Sequence, residues 1–195
     1  MNITNKILYR VKCKGRGWVF TPKDFLGIRH FNTINPLLDR LEKRGEIRSL
    51  GKGLYDYPIF DIQTAKYQAP NLNAIIRVIE VQLNDRFLLS EEEAAYFFKI
   101  SPDKPKIIKY LSNKHTKQID VCGFNIKISR TCIPATKNKY DKATLAILAF
   151  KYLGKGKVTK ELKTQILNQL DIKEKKKAIR IAKHVEWIHS LIRDL

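Results

Sequence analysis

The feature of this sequence that most constrains its fold is a helical apolar stripe followed directly by a glycine-rich hairpin. Four apolar residues recur at the spacing i, i+3, i+4 and i+7, which places them on one side of a helix: Ile34, Leu37, Leu38 and Leu41. This helix ends at Gly45. Residues 47–50 and 54–57 then form two strand-like runs around Gly51-Lys52-Gly53, and Pro58 closes the second run. The order predicts a small domain in which a helix leads into a basic hairpin.

Two shorter helices are predicted before this stripe. The first carries its apolar residues on one side, at Ile3, Ile7, Leu8 and Val11. Gly15 and Gly17 end it, and residues 18–20 form a short apolar extended run. Thr21-Pro22 offers an N-cap and a proline at the first helical position, which predicts a second helix from there to Gly27. Three short helices and a hairpin are the order of a winged helix-turn-helix, which we assign to residues 1–60.

In such a domain the third helix is too short to be stable alone, and the other two pack against it so that its polar side can enter the major groove of DNA. Asn35 and Arg40 have the geometry to hydrogen-bond base edges. Asp39 would repel phosphate, so it either accepts from a cytosine amino group or orients Arg40 or Lys43. Lys43, Arg44, Arg48 and Lys52 are better placed as point charges for phosphates. The predicted DNA-binding residues are Arg16, Lys23, Thr33, Asn35, Asp39, Arg40, Lys43, Arg44, Arg48 and Lys52.

Pro36 complicates the third helix. Proline is tolerated only in the first turn of a helix, and it disfavours helical conformation in the residue before it. If Asn35 is the true N-cap, it lies at the tip of the helix and not on its flank.

The balance of charge favours a polyanionic partner. The chain carries 38 basic and 19 acidic residues, a formal charge of +19, and such a surplus concentrates polyanions near the surface. Nucleic acid is therefore the first partner to consider, and the predicted winged helix makes it double-stranded operator DNA, although a solvated lysine-rich surface would give the same composition.

The rest of the chain predicts a second domain. Residues 61–73 are polar and contain Pro70, which is typical of a linker. Residues 74–136 alternate helical and strand patterns, with strands over 107–111, 118–122 and 124–129, and residues 137–195 are helical and basic. The last predicted helix starts near Asp171. It carries a secondary basic patch that could contact nucleic acid or simply be solvated: Lys173, Lys175, Lys176, Lys177, Arg180 and Lys183. The predicted fold class is α+β.

The sequence offers little chemistry for an enzyme. It contains neither a phosphate-binding G-x-x-x-x-G-K-[ST] loop nor an H-E-x-x-H motif. Cys13, Cys122 and Cys132 are far apart, which argues against a disulfide framework or a cysteine zinc site and fits a reducing cytoplasm. The longest apolar run, residues 143–150, is too short to span a bilayer. We expect a cytoplasmic protein with no catalytic residues, metal, cofactor or membrane partner.

Three stretches carry a family resemblance, at residues 3–7, 14–25 and 45–58. With their Gly15-Arg16-Gly17-Trp18 run and their Gly51-Lys52-Gly53-Leu54-Tyr55 turn, they resemble the amino-terminal domain of the AbiEi-like antitoxins of type IV (abortive infection) toxin-antitoxin systems. In Asn35-Pro36 the chain departs from such sequences, which more often carry polar, non-proline residues there. The resemblance weakens after residue 58.

The resemblance implies a phage-defence antitoxin that represses its own operon through the winged helix. It also implies a functional partner, a co-encoded nucleotidyltransferase-like toxin, which such antitoxins in many accounts counter without forming a stable complex. There are two alternatives: a stand-alone winged-helix transcriptional regulator without a toxin, and a module that binds only proteins. We expect a monomer or weak dimer.

Overall fold

The computed structural model describes residues 2–193, so Met1 of the first predicted domain and Asp194 and Leu195 of the second lie outside it. The amino-terminal elements are α1 (Ile3–Lys14), β1 (Val19–Phe20), a 3-10 turn (Pro22–Phe25), α2 (Phe31–Lys43), β2 (Arg48–Gly51) and β3 (Leu54–Asp56). Next come β4 (Phe60–Asp61), β5 (Lys66–Tyr67), α3 (Leu72–Gln82), β6 (Leu88–Leu89) and α4 (Glu91–Phe97). The remaining elements are β7 (Ile108–Ser112), β8 (Lys117–Val121), β9 (Phe124–Arg130), α5 (Lys142–Leu153), α6 (Lys160–Leu167), α7 (Ile172–Ala182) and α8 (Glu186–Ile192). This mixture of helices and sheets confirms the predicted α+β class.

The described chain divides into two compact units. The first holds the residues up to Asn84 together with Asp120–Phe124, and the second holds Asp85–Ile119 and the residues from Asn125 onward. The segment expected to be a linker, residues 61–73, contains the end of the antiparallel β4–β5 hairpin and the start of α3. Helix α3 lies in the first unit and buries Ile75, Ile76 and Ile79.

A three-stranded antiparallel sheet in the order β1-β3-β2 organises the first unit, with Phe20 opposite Tyr55. The helices α1 and α2 and this sheet share one apolar core, made of Ile7, Val11, Phe20, Phe25, Ile34, Leu38, Leu41, Ile47 and Tyr55. Three of the four predicted stripe residues of α2 are fully buried, and Leu37 is half-buried at the edge of the core. Apolar periodicity thus located the core of this unit.

The predicted second helix is a single 3-10 turn. A capping box closes it, in which the Asp24 carboxylate accepts from the Thr21 backbone N–H at 2.7 Å. Pro22 occupies the first helical position as predicted. The chain then turns and enters the longer helix at Phe31.

Helix α2 begins earlier than Pro36 suggested. His30 stands at its N-cap position, and its carbonyl accepts from the N–H groups of Thr33 and Ile34 at 3.0 and 3.2 Å. Pro36 therefore lies inside the helix, and Asn35 lies on its flank, so the N-cap alternative for Asn35 is wrong. Burial of Ile34 and Leu38 on either side of the proline holds the helix together despite the missing backbone donor.

The second unit joins a sheet in the order β6-β7-β9-β8 to the helices α4 to α8. The three predicted strands are present within one residue, and β7 and β9 are parallel neighbours. Helix α5 is the centre of the helical part, because all its residues from Ala143 to Phe150 are buried. Asp171 caps α7 near the predicted start, but the predicted last helix is two helices, α7 and α8.

Candidate nucleic-acid interface

The solvent-exposed part of α2 carries two cations, Arg40 and Lys43, and two carboxylates, Asp39 and Glu42. The apolar side of the helix is fixed by Ile34, Leu38 and Leu41, all fully buried, and helical spacing places Arg40 and Lys43 on the other side. Both side chains are exposed, and neither forms an ion pair or a hydrogen bond with any residue from 2 to 193. Thr33 is also exposed, on the same side of α2 as Arg40 and two turns before it. These two cations are therefore available to an external anion.

A hollow of about 310 Å³ lies between α2 and the turn that joins β2 to β3. Four predicted site residues from different segments line it, namely Lys23, Asn35, Asp39 and Lys52. Lys52 stands at the tip of the turn with a φ of 52°, between two glycines that also have positive φ. This left-handed backbone tightens the turn and brings the Lys52 side chain to the wall of the hollow.

Asp39 has an intramolecular partner. Its Oδ1 accepts a hydrogen bond of 3.1 Å from the Tyr55 hydroxyl, and no bond to Arg40 or Lys43 is present. Burial of the Tyr55 side chain and its hydrogen bond to the Asp39 carboxylate raise the pKa of Tyr55 to about 12. Of the two roles expected for Asp39, orientation of Arg40 or Lys43 is therefore not what this structure shows, and acceptance from a cytosine amino group stays a prediction.

Arg48 is engaged within the hairpin. Its guanidinium donates to both carboxylate oxygens of Asp56, at 3.0 and 2.6 Å, and to the carbonyl of Gln68 at 3.0 Å. The Asp56 side chain is only 2% exposed, against 27% for that of Arg48. The hydrogen bond to Asp56 raises the pKa of Arg48, against the opposing effect of burial. The bonds to Asp56 join β2 to β3, and the bond to Gln68 joins β2 to the segment after β5.

Two further predicted arginines also have partners. The Arg16 guanidinium lies 4.7 Å from the centre of the Tyr57 ring and donates to the Pro58 carbonyl at 2.7 Å. Arg44 pairs with Glu46 at 2.6 Å, but 59% of its side chain remains exposed. The structure thus brings Lys23, Asn35, Asp39 and Lys52 together, leaves Arg40 and Lys43 open, and gives Arg16 and Arg48 supporting contacts.

Sequence reasoning missed Phe31 and Tyr55 at this surface. Both line the hollow beside Asn35, and Phe31 is 43% exposed. No sequence signal separates Phe31 from the buried stripe, because it lies three residues before Ile34 and seven before Leu38, at the spacing of core residues. Tyr55 faces the core and reaches the hollow with its hydroxyl, which the strand pattern alone does not reveal.

The secondary basic patch is split by one ion pair. Lys177 donates to the Asp141 carboxylate at 2.6 Å, and Lys175 is half-buried. The other four are exposed and share one side of α7: Lys173, Lys176, Arg180 and Lys183. None of these four pairs with a carboxylate in the described part of the chain.

Other kinds of site find no support in the described residues. Between residues 2 and 193, no group of three or more His, Cys, Asp or Glu side chains could hold a metal ion. The three cysteines are free and exposed. No helix in this range is both long and apolar enough to cross a bilayer.

Comparison with known proteins gives a family but no function. No curated protein matches the chain. Residues 6–179 match a family described as a family of unknown function, DUF6088, and this span includes both units. The chain therefore belongs to the DUF6088 family.

Proposed function

We propose that the first unit is a winged helix-turn-helix that binds double-stranded DNA, with α2 as the recognition helix and the β2–β3 hairpin as the wing. The order of elements supports this proposal, because a helix, a short strand, a helical turn, a second full helix and a hairpin follow one another as in that fold. The observation that carries the proposal is the pair of exposed cations on α2, Arg40 and Lys43, which have no side-chain partner among residues 2–193.

The side chains divide into two roles. Arg40 reads base edges from the exposed side of α2, while Lys43, Lys23 and Lys52 neutralise phosphates. Arg48 supports this surface indirectly, because its hydrogen bonds to Asp56 join the two strands of the hairpin that carries Lys52.

At the level of the cell, the proposed function is that of a cytoplasmic, non-enzymatic type IV antitoxin. The chain would repress its own operon and counter a nucleotidyltransferase-like toxin encoded beside it. The support is the resemblance of residues 3–7, 14–25 and 45–58 to AbiEi-like antitoxins, together with the two exposed cations of α2. In this proposal the second unit supplies neutralisation.

DNA binding is tested by gel shift on the duplex upstream of the chain's own gene. Arg40→Ala and Lys52→Ala should each weaken binding, and Lys52→Ala should also reduce the slope of log K against log salt by about 1. Lys12→Ala is the matched control, because Lys12 is an exposed cation on the side of α1 opposite its buried residues Ile7 and Val11. Equal affinity of all three variants and the wild type would refute the proposed interface.

The antitoxin role is tested in cells that express the neighbouring toxin gene. The full-length chain should restore growth, and the double variant Arg40→Ala, Lys43→Ala should still do so while it loses repression of a reporter under its own promoter. Failure of the wild-type chain to restore growth would overturn the antitoxin role and leave a stand-alone regulator.

A further inference from the structure

The second unit contains a basic hollow that the proposed function does not use. It has a volume of about 630 Å³ and lies beside the loop between α4 and β7. Four lysines line it, Lys104, Lys106, Lys109 and Lys127, together with Ile107 and Tyr152. The volume lies within the range of ordinary small-molecule sites.

The lysines of this hollow differ in whether a carboxylate neutralises their charge. Lys109 is held between two carboxylates, at 3.2 Å from Glu91 and 3.1 Å from Glu92. Lys104, Lys106 and Lys127 are exposed and pair with no group between residues 2 and 193. Among the lining residues, Asp103 is the one other carboxylate besides Glu92. The hollow therefore has an excess of positive charge.

The register of two neighbouring strands places two of these cations side by side. Strands β7 and β9 are parallel neighbours, and Lys109 stands directly opposite Lys127. Like charges at opposed positions of a sheet destabilise it, and an anion bound between them removes that cost. Glu91 and Glu92 compensate only the Lys109 side, so Lys127 is left to an external anion together with Lys104 and Lys106.

The hollow also offers apolar surface for a planar group. Tyr152 is 45% exposed and Ile107 is 68% exposed, and both lie on its wall. An aromatic side chain next to clustered lysines is the arrangement on which a nucleobase stacks while its phosphate meets the cations. An inorganic anion alone would leave these two side chains in water.

We propose that this hollow binds a nucleoside phosphate, either as a free nucleotide or as the terminal nucleotide of a nucleic-acid strand. The phosphate lies among Lys104, Lys106 and Lys127, and the base packs on Tyr152. The inference is independent of the proposed DNA-binding surface, because all the residues on which it rests belong to the second unit.

Calorimetric titration of the full-length protein tests the inference, with AMP, ATP, inorganic pyrophosphate and a 5′-phosphorylated tetranucleotide as probes. The triple variant Lys104→Ala, Lys106→Ala, Lys127→Ala should weaken binding of nucleotides about tenfold or more, because it removes the charged donors to phosphate. The matched control removes three exposed lysines of the same unit that do not line the hollow, Lys137, Lys157 and Lys160, and should change binding by less than about twofold.

The variant Tyr152→Ala tests the contribution of the base to binding separately from that of the phosphate. It should weaken about tenfold the binding of the nucleotide probes that the wild type binds, and leave pyrophosphate binding unchanged. The double variant Arg40→Ala, Lys43→Ala should keep wild-type nucleotide affinity, so failure of the proposed DNA interface would not be mistaken for failure of this site.

The probes also distinguish the two sources of the ligand. Binding of AMP or ATP identifies a free nucleotide, and binding of the tetranucleotide alone identifies the end of a strand; either result supports the site. The inference is overturned if none of the three nucleotide probes binds at millimolar concentration, if both triple variants lose affinity equally, or if Tyr152→Ala leaves the binding of those nucleotide probes intact.

Discussion

Replacement of Asp56 by asparagine should lower the free energy of unfolding of the first unit by about 2 kcal/mol. The Asp56 side chain is 2% exposed and accepts two hydrogen bonds from the Arg48 guanidinium, at 3.0 and 2.6 Å. Asparagine keeps one acceptor oxygen and turns an N–H group toward the other donor. One charged hydrogen bond is thus lost, which costs about 1.5–3 kcal/mol.

Two features of the structure keep the cost near the middle of that range. The Arg48 side chain is 27% exposed, so water recovers part of the lost interaction, and Arg48 retains its bond to the Gln68 carbonyl. A fully buried pair would cost more when one partner is removed, about 3–5 kcal/mol.

Urea denaturation followed by tryptophan fluorescence measures the effect. Trp18 lies in the first unit and Trp187 in the second, so a Trp187→Phe background makes the signal report on the first unit alone. With a slope of about 1–2 kcal/mol per molar urea, the midpoint should fall by roughly 1–2 M.

Glu46→Gln is the matched control for the asparagine variant. It removes the same kind of charge from the Arg44–Glu46 pair, whose arginine side chain is 59% exposed, and should cost at most about 1 kcal/mol. If Asp56→Asn costs no more than this control, the view that Arg48 holds the hairpin is refuted.

Three further predictions concern two titrating side chains and one proline. Burial and the Asp39 bond raise the pKa of Tyr55 to about 12, so the stability it contributes is complete below pH 10 and lost as the pH rises through 12. In an absorbance titration of the eight tyrosines, Tyr55 should ionise late, and Tyr55→Phe should remove that part of the signal. Although burial acts in the opposite direction, hydrogen bonds from Lys177 and Thr144 lower the pKa of Asp141 below 3.8. The stabilisation of the second unit by Asp141 is therefore present above pH 3.8 and lost as the pH falls through the pKa of the folded state. In acid, the stability difference between wild type and Asp141→Asn should vanish. Pro36→Ala should stabilise the first unit by roughly 1–3 kcal/mol, since it restores a backbone donor inside α2, and an unchanged urea midpoint would contradict the cost assigned to this proline.

Elements governed by short-range patterns were predictable from the sequence. The apolar stripe of α2 and the glycine turn at Lys52 depend on residues a few positions apart, and both are where the pattern predicted them. The N-cap alternative for Asn35 failed, because local proline rules carry no information on the burial of Ile34 and Leu38.

The candidate DNA-binding surface was only partly predictable. Arg40 and Lys43 follow from helical spacing once the buried side of α2 is known. The partners of Arg16 and Arg48 do not, because Pro58 is 42 residues from Arg16, and Asp56 meets Arg48 only across a strand pair. A count of basic residues treats all these arginines alike.

By itself, the sequence determined the apolar periodicity, the turn chemistry and the excess of positive charge, since each is a property of neighbouring residues or of composition. Only the tertiary structure decided which cations are neutralised and which face solvent. The reason is physical: an ion pair such as Lys177 with Asp141 joins residues 36 positions apart, and the packing of whole helices sets that distance. The same holds for the hollow around Lys127, where strand register and a distant loop meet.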